Sequence, residues 1–259
     1  MNLQPKLRLF VDDALAEGAV LSPSPEQTHY LLNVMRAASG ENVALFNGRD
    51  GEWRACLRVE GRKKAFWEVL AQLRPQTAEP DLWLLFAPVK RQRLDLIVEK
   101  ATELGVSALL PVWTQNTASS RVNEDRLRAT AIEAAEQCRR LSIPAIEAPR
   151  PLETVLGSWP DGRRLIVLDE RGGGAPIGAV LPQLPPGPLA VLVGPEGGFS
   201  ADEIDGLSRL SFTQSVGLGP RILRADTAVV AALACLQSSC GDWRDSPAGR
   251  HIPLSGAKD

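Results

Sequence analysis

Hydrophobic and polar residues follow two different patterns along this chain, with the change near residue 75. From residue 8 to about residue 74 the apolar positions come in short runs broken by turn formers. Trp53, Ala55, Leu57 and Val59 alternate with Glu52, Arg54, Cys56 and Arg58, the period of a strand with one wet face. The preceding Asn47-Gly48-Arg49-Asp50-Gly51 tolerates positive φ, so residues 43–46 and 53–59 are predicted to pair as a hairpin. A helix over residues 25–38 interrupts the strands, with Tyr30, Leu31, Val34 and Met35 on one face and a stop near Gly40. His29, Asn33 and Arg36 share the opposite stripe, which is either a plain solvated face or a contact surface.

Two prolines in a polar stretch over residues 74–81 predict a linker, and strands then alternate with helices. Residues 82–87 form the first buried strand. A helix over 91–104 follows, with Leu94, Ile97, Val98, Ala101 and Leu104 on one face and a stop at Gly105, and residues 108–113 return as a strand. The pattern continues with strands at 164–169, 189–193 and 213–218, and helices at 123–141, 151–159, 177–184, 200–210 and 224–239. Unbroken apolar strands such as Leu189-Ala190-Val191-Leu192-Val193 suit a parallel sheet covered on both faces. The predicted organisation is a β-rich domain over 1–74, an α/β domain over 75–245 and a weakly ordered tail over 246–259.

Composition narrows the function. The longest apolar runs, 82–89 and 229–236, fall far short of the roughly 20 residues of a membrane span. Lys6 and Arg8 meet Asp12 and Asp13 with no long apolar segment after them, so no secretory leader is expected and the cytoplasm is the default location. Cys56, Cys138, Cys235 and Cys240 form no C-x-x-C pair and the two histidines are far apart, so no metal site is expected and the thiols should be reduced and mostly packed. A net charge of -2 argues against coating nucleic acid through bulk charge, so any such contact must use local patches.

Two loops carry the chemistry. Gly194-Pro195-Glu196-Gly197-Gly198-Phe199-Ser200 leaves a buried strand and enters a helix, where glycines let backbone amides approach a ligand that a Cβ would block. Ser200 and Glu203 make a capping box that specifies the helix start. The loop is neither G-x-G-x-x-G nor G-x-x-x-x-G-K-[ST], which discourages dinucleotide and triphosphate readings and leaves a tight structural turn as the competing one. The second loop runs from Gly217 to Ala228. Arg221 and Arg224 suit a phosphate or a developing oxyanion, and Asp226 is either functional or simply serves the helix dipole and cap.

Taken together, GPEGGFSADE, LGPRILRADTA, EKATELGV (residues 99–106) and EAAEQCRR (residues 133–140) resemble the four signature stretches of the RsmE family. RLF (residues 8–10), HYLLNVMR (residues 29–36) and LFNGRDGEWRA (residues 45–55) are similar to its small N-terminal domain. Seven stretches in the right order make the resemblance specific. It implies a PUA-like β-barrel for RNA recognition, then a SPOUT-type parallel sheet whose C-terminal chain is threaded into a trefoil knot that binds S-adenosylmethionine. It also implies a homodimer with its sites near the subunit interface. The cofactor residues carried over are Leu168, Gly194, Pro195, Glu196, Gly197, Gly198, Leu218, Gly219, Arg221, Ile222, Leu223 and Thr227. The chain departs from the family pattern at Arg139, where a glycine is usual, and at Asp226, where a glutamate is common.

The activity implied is methylation of N3 of one uridine in small-subunit (16S) ribosomal RNA, as naked RNA or in the 30S subunit. Arg224, and secondarily Arg221, would stabilise the uracilate oxygens or the target phosphate, and Glu196 or Asp226 would take the proton. Candidate RNA contacts are Arg8, His29, Arg36, Arg54, Arg58, Lys63, Lys64, Lys90, Arg91, Arg121 and Arg140. The competing readings are a ribose 2′-O-methyltransferase of the same fold acting on transfer RNA, a ribosome-assembly factor without catalysis and, more distantly, a nucleotide-binding metabolic enzyme.

Overall fold

The computed structural model describes residues 5, 7–60, 64–118 and 121–243. Lys63 and the 246–259 tail lie outside them. In the N-terminal part, β1 (Leu7–Phe10), β2 (Val20–Leu21), β3 (Asn42–Phe46), β4 (Glu52–Glu60) and β5 (Lys64–Arg74) form one mixed sheet in the order β1-β3-β4-β5-β2. The predicted hairpin is there: Val43 pairs with Ala55 and Leu45 with Trp53. Asn47 builds its turn, its side-chain oxygen accepting from the backbone N–H of Arg49 (3.0 Å) and of Asp50 (2.8 Å). Gly51 closes the turn at φ +81, where a Cβ would lie 2.3 Å from the Arg74 carbonyl oxygen. Leu31, Leu45, Leu57 and Trp67 are fully buried in the core of this sheet.

The helix expected over residues 25–38 is shorter and differently wound. A capping box between Ser24 and Gln27 fixes α1 (Pro25–His29), which widens into a π-helical turn (Tyr30–Val34) and stops before Arg36 at φ +51. A π turn holds more residues than the α-helical 3.6, so side chains drift off a single stripe. Leu31 is buried accordingly, while Tyr30, Val34 and Met35 are 40%, 60% and 48% exposed.

After residues 75–81, which lack regular structure, the second part alternates as expected. Its elements are β6 (Leu82–Phe86), α2 (Arg91–Glu103), β7 (Ala108–Trp113), α3 (Glu124–Cys138), β8 (Ala145–Ile146), β9 (Arg150–Pro151), α4 (Leu152–Gly157) and β10 (Arg164–Leu168). Then come β11 (Ala175–Pro176), α5 (Ile177–Val180), β12 (Leu189–Val193), α6 (Ala201–Ser208), β13 (Thr213–Gly217) and α7 (Ala225–Cys240). Strand pairing is parallel throughout, in the order β11-β13-β10-β12-β6-β7-β8, with β9 alongside β7. Side chains of the central strands alternate between two buried layers. Ile166 and Val191 pack with α2 and α7, whereas Leu165, Val167 and Leu192 pack with Phe199, Ile204 and Leu207.

The two parts are welded at the C-terminal end of α3, through side chains that the alternation in β4 assigns to water. Glu52 and Cys56 are buried. Arg8 Nε and Arg74 Nε donate to the two Glu52 oxygens at 2.5 and 2.8 Å, and the Arg8 guanidinium lies 3.6 Å over the Phe46 ring. Arg8 also donates to the carbonyls of Ala135 (2.6 Å) and Arg140, and Arg74 to that of Arg139 (3.0 Å). Those carbonyls lie at a helix end, where no intrahelical partner is available. The Phe10 N–H donates to Glu136 at 2.9 Å, and Phe10 and Phe46 meet edge to face, 5.5 Å apart, beside buried Ala135.

None of the four cysteines is paired in a disulfide; Cys56 is buried, but Cys138 and Cys240 are exposed rather than packed. Among the described residues no helix is long and apolar enough to cross a membrane, and no His/Cys/Asp/Glu cluster is of a kind that holds a metal ion.

Burial alone pushes the Glu52 carboxyl up, and the hydrogen bonds and charges of Arg74 and Arg8 overcome it, leaving the group below its ordinary value. A carboxylate depressed on folding contributes stability above its unfolded pKa and loses that contribution as pH falls through the folded value. Glu52→Gln is therefore expected to cost about 3 to 5 kcal/mol near neutral pH. The deficit against wild type should shrink as the pH drops below the ordinary carboxylate range. Denaturant unfolding across a pH series checks this, and a deficit indifferent to pH contradicts it.

Candidate active site

Because β10 lies between β12 and β13, the loops that follow these three strands open side by side at their carboxyl ends. They enclose a cavity of about 550 Å³. Its apolar lining comes from Leu168, Leu218, Ile222 and Leu223, and its polar rim from Asp169, Glu170, Glu196, Arg221 and Arg224.

Two of the loops reach the cavity through close approaches that a side chain would forbid. In the first, a Cβ on Gly174 would fall 2.5 Å from backbone carbon of Val216 in β13. In the second, a Cβ on Gly194 would meet the buried Phe199 ring at 2.9 Å, and Gly198 turns at φ +69 with its N–H donating to the Pro195 carbonyl (2.9 Å). In the third, Gly219 turns at φ +96, and a Cβ there would meet nothing within 4 Å.

The second loop is held from three directions. The expected capping box forms: Ser200 Oγ accepts from the Glu203 N–H (3.2 Å), and Glu203 accepts from the Ser200 N–H (2.8 Å). The other Glu203 oxygen accepts from the Gln115 N–H at 2.8 Å. Asn116, next along that same strand-end segment, donates to the carbonyls of Gly198 (3.0 Å) and Gly197 (3.3 Å). From α2, Arg93 forms an ion pair with Glu196.

Beyond Glu196 lies a second cavity of about 730 Å³. Lys90, Pro195 and Glu196 line both spaces and so form the wall between them. A pair of adjoining cavities at the carboxyl ends of parallel strands, one ringed by glycine loops and the other lined by more cations than acids, has room for two ligands side by side.

Known proteins share this fold. A family model for the RNA methyltransferase domain matches residues 77–237, and one for the RNA methyltransferase PUA domain matches residues 23–70. The ribosomal RNA small subunit methyltransferase E of Rickettsia conorii is 32% identical over 228 residues, spanning 88% of this chain and 93% of that one. The chain belongs to the RsmE family. A solved ribosomal RNA small subunit methyltransferase E from Neisseria gonorrhoeae, bound to S-adenosyl methionine, superposes with a TM-score of 0.83 at 28% identity, over 92% of this chain and 99% of that one. A putative methyltransferase from Legionella pneumophila, in complex with the same cofactor, superposes with a TM-score of 0.82 at 28% identity, over 93% of this chain and 100% of that one.

In this RsmE-family chain, Leu168, Gly194, Pro195, Glu196, Gly198, Leu218, Gly219, Arg221, Ile222 and Leu223 line the first cavity, as does Arg224 at the N-cap of α7. Gly197 faces the second cavity instead, and Thr227 and Asp226 line neither. Asp226 has one carboxylate oxygen buried without a hydrogen-bond partner. Arg93 and Asn116 were missed in the sequence. The rule that picked out residues 194–200 points to both, since Arg93 lies in the first turn of the helix after β6 and Asn116 follows the carboxyl end of β7.

The candidate RNA contacts separate into groups. Arg8 and Arg140 leave the surface: their side chains are 9% and 8% exposed, Arg8 in the weld and Arg140 bound to Glu79 and to the carbonyls of Thr102 (2.6 Å) and Val106 (3.0 Å). Donors spent on buried acceptors cannot also grip phosphates, so these two are corrected to structural roles. Arg58 is exposed but paired with Glu68 at 2.8 Å, and Arg54 is half-buried. His29, Arg36 and Lys64 are exposed on the N-terminal sheet domain, with the His29 ring 2.9 Å from the Asn33 amide. Lys90, Arg91 and Arg121 converge on the second cavity.

The contrast between two glycines tests this geometry. Gly219→Ala meets no atom and incurs only the positive-φ cost of about 1 to 3 kcal/mol, whereas Gly174→Ala must displace β13 backbone. Scanning calorimetry should show the larger Tm loss for Gly174→Ala. Equal losses would mean that the first loop does not rest on β13.

Proposed function

We propose that this chain transfers a methyl group from S-adenosylmethionine to N3 of a uridine in small-subunit ribosomal RNA. The single observation that carries the reading is the glycine-walled cavity shared by the three strand-end loops, directly beside a second, cationic one. The residues fit the cofactor. Leu218, Ile222 and Leu223 offer apolar cover for a flat adenine ring, and the close backbone of residues 194–198 offers amides and carbonyls to read its edge. When bound, S-adenosylmethionine supplies a methyl already activated by positive sulfur.

The protein's own task is then orientation, exclusion of water and management of one proton. Uracil N3 becomes nucleophilic as its proton leaves, and the resulting charge spreads onto the flanking oxygens. Arg224, at the mouth of the first cavity, stabilises that charge, with Arg221 on the same loop as the secondary cation. Glu196 stands on the wall between the cavities and is the group we assign to accept the proton; Asp226 lies off both linings. Arg93 holds the Glu196 carboxylate in place.

The same reading includes the trefoil knot and the homodimer. β13 is inserted between β10 and β11, the two strands that the first loop joins, and this passage of a later segment within an earlier connection supports threading of the C-terminal chain. Ile222, 87% exposed beside the cavity, and Val230 on α7 supply an apolar surface suited to a second copy. The N-terminal domain, with exposed His29, Arg36 and Lys64, recognises the surrounding RNA.

Incubation with S-adenosylmethionine and hypomodified small subunits, followed by mass spectrometry of the nucleosides, is expected to yield N3-methyluridine. A ribose-methylated nucleoside, or none, overturns the assignment. Arg224→Ala is expected to reduce single-turnover methylation by about 100-fold or more while leaving the calorimetric cofactor affinity within a few-fold. Turnover like wild type would remove Arg224 from the mechanism.

A further inference from the structure

We infer that the second cavity is the seat of the acceptor: one unstacked RNA nucleotide, its base on the cavity floor and its phosphates on the cationic rim. The inference rests on the methyl-transfer reading and specifies where its second substrate binds. An acceptor must approach the donor from outside the donor's own cavity, and the wall of Lys90, Pro195 and Glu196 is the surface the two spaces have in common.

Shape and chemistry agree with position. A volume of about 730 Å³ exceeds that of the donor cavity and lies within the usual range of ligand sites. Val89, Leu94 and Leu127 give the lining an apolar part that suits the face of a base. Its charged part counts four cations, Lys90, Arg91, Arg121 and Arg126, against two carboxylates, Asp95 and Glu196. Asp95 is paired with Arg126 within the lining and Glu196 with Arg93 outside it, so cations outnumber acids on this surface. The first turn of α2 adds to it: no acid stands there and Lys90 makes no side-chain cap, so the helix dipole is left uncancelled on the same rim.

The wall also gives Asn116 a part. It lines the acceptor cavity while its amide holds the carbonyls of Gly197 and Gly198 in the donor loop, so one side chain ties the two walls together. An RNA nucleotide drawn into the cavity therefore packs against the residue that positions the donor loop.

Arg91 and Arg121 line the acceptor cavity and not the donor cavity, which makes them the residues to change. In the Arg91→Glu, Arg121→Glu double variant, KM for hypomodified small subunits should rise by roughly tenfold or more, with calorimetric affinity for S-adenosylmethionine within about twofold. In parallel, a short oligouridylate carrying 4-thiouridine is photocrosslinked to the full chain without cofactor, and the adducts are mapped by peptide mass spectrometry. Adducts in the peptides spanning residues 88–95 or 121–127 are expected, reduced in the double variant. An unchanged KM, or adducts confined to the N-terminal sheet, would overturn the assignment. Absence of methyl transfer by the wild-type chain would instead defeat the methyl-transfer reading, because the crosslinking map is scored without donor or chemistry.

Discussion

Everything at the site depends on a matter of strand order: β10 is flanked by β12 and β13, so three loops distant in sequence leave the sheet within reach of one another. Three loops crowd together only if their backbones approach closely, and the glycines are the residues that permit it. Gly174 rests on Val216 and Gly194 on the Phe199 ring, contacts in which a Cβ has no space. The apolar strands beneath supply the rigidity, since their side chains fill two buried layers and leave the loops a fixed base.

A second constraint fixes the N-terminal sheet relative to that base. Arg8, Glu52 and Arg74 fasten it to the carbonyl end of α3, and α3 in turn is tied to α2 by the Arg126–Asp95 pair on the lining of the second cavity. A physical chain thus runs from the N-terminal sheet through two helices to the residues shared by the two cavities. Buried ion pairs of this kind do little for net stability compared with apolar packing, but they hold one geometry.

Much of this was legible in the sequence. The apolar runs at 82–86, 164–168 and 189–193 mark a buried parallel sheet, and the glycine loop with its capping box marks one wall of the site. The failures have physical causes. Alternation in β4 identified a polar face but not the arginines that cover it, because Arg8 and Arg74 arrive from elsewhere in the chain. A charged residue reads as exposed until its partner is known, which is why Arg8 and Arg140 looked like RNA contacts. The π turn at Tyr30–Val34 has no periodic signature, and strand order, which brings Arg93 to Glu196 across 103 positions, is a tertiary fact that periodicity does not contain. The resemblance to the RsmE family supplied what pattern alone could not, namely the cofactor.

The central claim is that the three strand-end loops form one donor site. Titration of the wild-type chain with S-adenosylmethionine, followed by amide hydrogen exchange with and without it, tests this most directly. The account predicts one donor bound per chain and slowed exchange at residues 169–174, 194–200 and 218–224 together. Binding that protects one of these segments alone, or protection centred elsewhere in the molecule, would contradict it.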